Sequence, residues 1–336
     1  MKHRLFGIAA ALLVLAGSLS APAAAADEVK VGMLRLPTAL FVGIEKGFFA
    51  EENIDVKPTF FRSGGELIPS LSTGQIDVAS TSPGAALFNA MSSGVNAKIV
   101  ADYWTIGRER SGDSAYMVVR KDLVADGKFK TAKDAKGLTV AITARGQMTE
   151  LYMDAFLASG GLSESDVKVV QLPLPDMVAA LQNKAVDMIS AIDPYPTLAV
   201  DSGVGVKVSS LSTVMPGLVQ AVLMYSDRML KTDRSLGMRF MRAFTKSNRY
   251  IRAHLDPAGR VELAKIYQKY IPMDTQELYE RIGLAVGPDN LAPELEGKYA
   301  LRWQMQEYVK SGLVKTAPDM NAAVDRSFAD AAARVK

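Results

Sequence analysis

From Val29 onward, short runs rich in β-branched residues alternate with longer amphipathic runs, the pattern of a sheet covered by helices. VKVGML (29–34), IDVKPTF (54–60), IDVAS (76–80) and KIVADY (98–103) read as strands. Helices are expected at 39–52, 65–72 and 84–92. Residues 138–192 run through the same order. LTVAIT (138–143), DVKVVQL (166–172) and VDMISAI (186–192) are strands, with helices at 147–158 and 176–183 between them. SAYMVVRKD (114–122) and LVQAVLMYSD (218–227) are apolar runs that leave or re-enter a lobe. After Arg228 the periodicity is helical at 236–254, 261–270, 276–284 and 301–310, punctuated by Pro257, Pro272, Pro288 and Pro293.

The two halves match beyond element order. LSTGQIDVAST (71–81) lies over LQNKAVDMISA (181–191), and IDVK (54–57) over SDVK (165–168). This offset implies an internal pseudo-duplication and an α/β protein of two facing lobes. The expected division is 27–117 plus 224–336 for lobe one with a helical C-terminal segment, and 118–223 for lobe two. The tail, which has no further strand, is expected to cap lobe one. The repeated Asp77 and Asp187 are read as structural.

The first 26 residues read differently. Lys2, His3 and Arg4 precede an apolar stretch from Leu5 to Leu19, and Ala24, Ala25 and Ala26 lead to Asp27, the layout of a cleaved secretory signal peptide. The apolar core is shorter than the ~20 residues of a spanning helix. An exported, periplasmic product follows, and with no cysteine in the chain it is not lipidated. The 336 residues hold 39 Lys and Arg against 36 Asp and Glu, a near balance that gives no electrostatic reason to expect nucleic acid. Without cysteine there are no disulfides, Cys-ligated metals or thiol nucleophiles. His3 and His254 are the only histidines. No G-x-S-x-G elbow, P-loop or H-E-x-x-H occurs, so no catalytic residue, metal site or cofactor is expected.

Ligands of open α/β sheets collect at the carboxyl ends of strands, where helix N-termini present free N–H groups. Four such places are expected. Arg35, Leu36, Pro37 and Thr38 follow the first strand, and Ser80, Thr81, Ser82 and Pro83 end the third, with Gly84 allowing close approach. In lobe two they are Thr143, Arg145, Gly146 and Gln147, then Asp193 and Tyr195. Arg145 could fork two oxygens of an anion or be a solvated surface residue. Trp104, just past the strand at 98–103, and Tyr195 could wall a ligand, although a core Trp is an equal reading. Asp193 could receive a donor from the ligand or cap its helix. Of the 16 methionines, Met148, Met153, Met188 and Met241 fall at helix or strand core spacing. Arg108 and Arg110, broken by Glu109, read as a solvated loop.

VGIEKGFFAEENIDV (42–56), LSTGQIDVASTSPG (71–84), YMVVRKD (116–122), KTAKDAKGLTVAI (130–142) and AIDPYP (191–196) together resemble the nitrate/sulfonate/taurine branch of ABC-transporter solute-binding proteins. The likeness spans about residues 28–225. It implies the two-lobed type II periplasmic-binding fold, a monomer, and delivery of a bound small molecule to an inner-membrane permease. Its ligand-contacting positions would fall on Leu36–Thr38, Ser80–Pro83, Trp104, Thr143–Gln147 and Asp193–Tyr195. Pyrimidine synthases of the same fold carry a cysteine-rich motif and an active-site His that this chain lacks. Besides a carrier of a small, anionic organic compound, a related periplasmic enzyme and a ligand-presenting sensory protein remain open.

Overall fold

The computed structural model describes residues 25–107, 113–271 and 276–335. Most of the expected signal peptide, the loop Arg108–Arg110 and Pro272 lie outside them. Among the described residues, ten strands form two sheets. Lobe one holds β1 (Asp27–Met33), β2 (Ile54–Phe60), β3 (Val78–Thr81) and β4 (Lys98–Thr105). Lobe two holds β5 (Ala115–Arg120), β6 (Thr139–Ile142), β7 (Lys168–Gln171), β8 (Met188–Ile192) and β9 (Gly205–Ser210). β10 (Val219–Tyr225) returns to lobe one.

The sheet orders are β2-β1-β3-β10-β4 and β7-β6-β8-β5-β9. Each has a parallel trio and one antiparallel strand, β10 or β5, inserted beside its third strand. The runs 114–122 and 218–227 are thus strands of the lobe they enter. The expected boundaries at 117/118 and 223/224 fall inside β5 and β10, and the chain crosses between sheets in residues 106–114 and 211–218.

The repeat shows in side chains as well. Asp77 accepts the backbone N–H of Lys30 at 2.9 Å and pairs with Arg228 at 3.1 Å. Asp187 accepts the N–H of Thr139 at 2.9 Å and pairs with Arg120 at 3.0 Å. Each carboxylate ties the start of its third strand to the first strand and holds one arginine, the structural role expected of both.

Several elements differ from expectation. The helix expected at 39–52 is two, Ala39–Glu45 and Phe48–Glu51, because Gly47 takes φ +75° and turns the chain between them. Trp104 lies within β4, which runs two residues further than its apolar pattern. β9 has no expected counterpart. In the tail, the helix Arg234–Ala253 packs on Ala39–Glu45, and Ser327–Ala333 packs on β4. Residues 282–300, however, contain no helix. They follow the outer side of β4, where Asp102 N–H donates to Leu291 O and Thr105 N–H to Val286 O, so the open edge of that strand is covered. No described helix is long and apolar enough to cross a membrane.

Candidate functional site

The strand ends of the two lobes face one another and touch. Ala85 N–H donates to Gly146 O at 2.8 Å, and Ser82 Oγ donates to Gln147 Oε1 at 2.8 Å. Glycine permits this approach, since a Cβ on Gly84 would stand 2.5 Å from Gly146 O. Behind the contact lies a chamber of 40 Å³. Its floor is built from the segment after β1 (Leu34, Leu36, Thr38), the end of β3 (Ser80, Thr81, Ser82), the end of β4 (Tyr103, Trp104) and the start of β10 (Gln220, Ala221). Ile192 of β8 closes it from lobe two.

Three polar atoms here have no hydrogen-bond partner among the described residues: Thr38 Oγ1, Thr81 Oγ1 and Gln220 Nε2. The residues are 2 to 4% exposed. A buried donor left unpaired costs about 1–3 kcal/mol, so three at one small chamber are a standing demand for acceptors. Thr38 stands at the start of Ala39–Glu45 and makes no side-chain capping bond. Gln220 is fixed through its other end, where Oε1 accepts from Ser114 Oγ at 2.9 Å. That bond aims the amide nitrogen, which is only a donor, away from Ser114. The Tyr103 hydroxyl is bonded to Ser80; burial pushes its pKa up to about 12, against the pull of that bond, so it stays protonated.

Leu34 also lines a second, outer cavity of 270 Å³ bounded by Phe60, Phe61, Arg35, Arg62, Leu174 and Tyr195, among others. Arg35 lies 4.0 Å over the Phe60 ring and donates to Tyr270 O. Arg62 reaches Asp176 of lobe two at 4.0 Å, with both side chains largely in solvent. The arrangement is a polar inner chamber behind an aromatic vestibule whose two guanidiniums face one carboxylate.

Of the expected ligand positions, Leu36, Thr38, Ser80, Thr81, Ser82 and Trp104 line the chamber and Tyr195 the vestibule. Gly146 and Gln147 meet lobe one from across the cleft, and Pro37 and Pro83 are buried beside the lining. The others are committed elsewhere. Thr143 bonds Thr149. Arg145 is held 2.6 Å from both Glu150 and Glu164, which raise its pKa further, and it faces a groove on another side of lobe two. Asp193 receives Thr197 N–H, Thr197 Oγ1 and Gly283 N–H, with Lys207 at 3.6 Å. Burial raises its pKa, and Lys207 and the donors oppose this. It fastens its own helix and the tail, the capping alternative. Gln220, Leu34, Tyr103 and Ile192 also line the chamber and are not among the expected positions. Gln220 had a signal, being the one polar residue in the apolar run 218–225. No group of three or more metal-ligating side chains occurs among the described residues.

Two mixed five-stranded sheets, joined by two crossings around a cleft at their strand ends, are the type II periplasmic-binding fold. The chain belongs to the NMT1-like family, whose model matches residues 23–268. A protein of Bacillus subtilis (strain 168), named for binding aliphatic sulfonates, is 26% identical over 271 residues, 77% of each chain. The alkanesulfonate-binding protein SsuA of Xanthomonas axonopodis pv. citri, solved with bound MOPS, shares the fold at a TM-score of 0.72 and 17% identity, covering 91% of this chain and all of that one. The desulfurization enzyme DszB shares it too, at a TM-score of 0.65 and 14% identity, covering 91% of this chain and 98% of the enzyme.

Proposed function

We propose that this protein is the exported, periplasmic solute-binding component of an ABC importer, and that it carries a small organic anion, a sulfonate or carboxylate, between its lobes. The observation that carries this reading is the trio Thr38 Oγ1, Thr81 Oγ1 and Gln220 Nε2, unpaired and buried at one chamber. Two hydroxyls and an amide N–H₂ suit the oxygens of an oxyanion head group. Trp104 and Leu36 give that head an apolar backing, and Phe60, Phe61 and Tyr195 of the vestibule suit an organic body.

The charge of the ligand is met at the mouth by Arg35 and Arg62, in place of Arg145, whose guanidinium is already held by two carboxylates. Ligand lying across Ser82, Gln147 and Gly146 favours the closed arrangement of the lobes, and a permease of the inner membrane would recognise that arrangement. The carrier works as a monomer and leaves its cargo chemically unchanged. The sulfonate named for the relatives supports this ligand class, and the leader at 1–26 supports export.

The test is thermal melting of the purified protein with taurine, alkyl and aryl sulfonates, aromatic carboxylates, nitrate and pyrimidines. A ligand that binds only the folded state adds about 2.7 kcal/mol at 100 times its dissociation constant. A shift with sulfonates or carboxylates is expected, with the compound recovered intact. Stabilisation by pyrimidines alone would overturn the anion reading, and turnover of the bound compound would overturn the carrier reading.

A further inference from the structure

A cavity apart from the cleft chamber lies on another side of the molecule. It is an open groove of 1180 Å³ between the lobe-two helix Met148–Ser159 and the C-terminal helix Leu301–Lys310. Val214 of the second crossing borders it, and Tyr299 donates to Val214 O at 3.2 Å. Four carboxylates line it, and three of them are already matched. Arg145 is shared by Glu150 and Glu164, and Lys310 pairs with Glu307 at 2.6 Å. The remaining lining cation, Lys298, sits 4.8 Å over the Tyr299 ring.

Asp154 is the exception. It makes no ion pair among the described residues, and its Oδ1 is buried without a hydrogen-bond partner. Across the groove Tyr308, 2% exposed, also carries an unpartnered hydroxyl, and its neighbouring charges are Glu150 and Asp154. Two unpaired polar groups, one from each lobe, therefore converge on the same space. Beside them Trp303 and Tyr299 stand edge to face at 4.8 Å, giving an aromatic wall.

We propose that this groove is a second ligand site, for a small organic cation with an aromatic or flat apolar body. The ammonium sits between the Asp154 carboxylate and the Tyr308 hydroxyl, and the body lies on Trp303. An ammonium supplies what both groups lack, a charge for the carboxylate and donors for two oxygens. An anion would instead meet the unpaired Asp154 carboxylate. Because Asp154 belongs to one lobe and Tyr308 to the other, the bound cation bridges them, which links this site to lobe closure.

The titratable and charged groups that line the groove with Asp154 are Glu150 on its own helix, Glu164 and Arg145 beside it, and Lys298, Tyr299, Glu307, Tyr308 and Lys310 opposite. Burial, then Glu150 and Glu164, pushes Asp154 up to about 7, against the pull of Arg145. A folded-state pKa raised above that of a free carboxylate means the ionised form accumulates only as pH rises through about 7. Cation binding therefore strengthens over that interval.

Calorimetric titration of the full-length protein with phenethylamine, and with 2-phenylethanol as its uncharged counterpart, tests this. Saturable binding of the amine is expected at pH 8, weaker by about tenfold at pH 5.5 and in Asp154→Asn. Asparagine resembles the protonated carboxyl, so that variant is expected to keep the melting temperature of the parent at pH 5.5. The alcohol is expected not to saturate, and Thr38→Val, at the cleft chamber, is expected to bind the amine as the parent does. Equal binding of amine and alcohol, parental affinity in Asp154→Asn, loss of amine binding in Thr38→Val, or no saturable binding would each overturn the proposal.

Discussion

The two lobes share a frame and differ at its rim. In both, an aspartate at the start of the third strand takes an N–H of the first strand and an arginine, and an antiparallel strand borrowed across the crossing completes the sheet. At the strand ends the likeness stops. Lobe one leaves Thr38, Thr81 and Gln220 with unpaired atoms. Lobe two spends most of its equivalent polar groups internally, Thr143 on Thr149, Arg145 on Glu150 and Glu164, Asp193 on Thr197 and Lys207, although the buried Ser190 Oγ, counterpart of Ser80, has no hydrogen-bond partner among the described residues. A duplicated scaffold can thus hold its ligand mainly with one copy, the other serving as a lid whose polar side chains keep its own loops rigid.

The largest expected effect tests the shared frame. Asp77→Ala leaves the Lys30 N–H and part of the Arg228 guanidinium without an acceptor at a site where the Asp side chain is 8% exposed. The expected loss is about 3 kcal/mol. Asp187→Ala should cost less, about 2 kcal/mol, because that side chain is 24% exposed and Arg120 keeps Asp122 at 2.8 Å. Denaturant unfolding of the two variants measures the difference. Equal losses would mean that burial does not distinguish the two copies of the lock.

A smaller effect tests the lid. Gly84 has φ −113°, so alanine is unstrained there while the lobes are apart, but in the closed state its Cβ would stand 2.5 Å from Gly146 O. Gly84→Ala should therefore leave melting of the unliganded protein nearly unchanged and weaken cleft ligand by about tenfold, about 1.4 kcal/mol. Scattering should report a larger radius of gyration with ligand present than in the parent. Parental affinity would show that ligand is held without the contact between Gly84 and Gly146.

The shared frame was legible in the sequence because it is local and repeated: Asp77 and Asp187 sit in matched eleven-residue strings, and strand periodicity placed seven of the strands. The rim was legible as a place, through the rule that ligands gather at strand ends, but not as a set of contacts. Whether Arg145 is free depends on Glu164 arriving from a turn beyond the end of its helix, and no periodicity reports that. Gln220 reaches the chamber only because β10 inserts beside β3, a pairing between residues far apart in the chain. β9, with Gly205, Ser209 and Ser210 in six residues, pairs only with β5 and carries little strand signature of its own. Residues 282–300 take their path from the edge of β4 rather than from any pattern they hold.

The finest test sets one unpaired group of lobe one against one paired group of lobe two. Thr38→Val replaces a hydroxyl that has no partner by a methyl of similar size, and no capping bond is lost with it. The unliganded protein should gain about 1 kcal/mol, because a buried unsatisfied oxygen is removed, while ligand affinity falls by a similar amount, about fivefold. Arg145→Ala should do the reverse. Its loss costs stability by freeing the buried Glu150 and exposed Glu164 from their shared cation, while cleft affinity stays within about twofold. Melting curves with and without ligand separate the two quantities in each variant. If Arg145→Ala weakened binding more than Thr38→Val, the charge of the ligand would be read by lobe two, and the division between a binding lobe and a lid would fail.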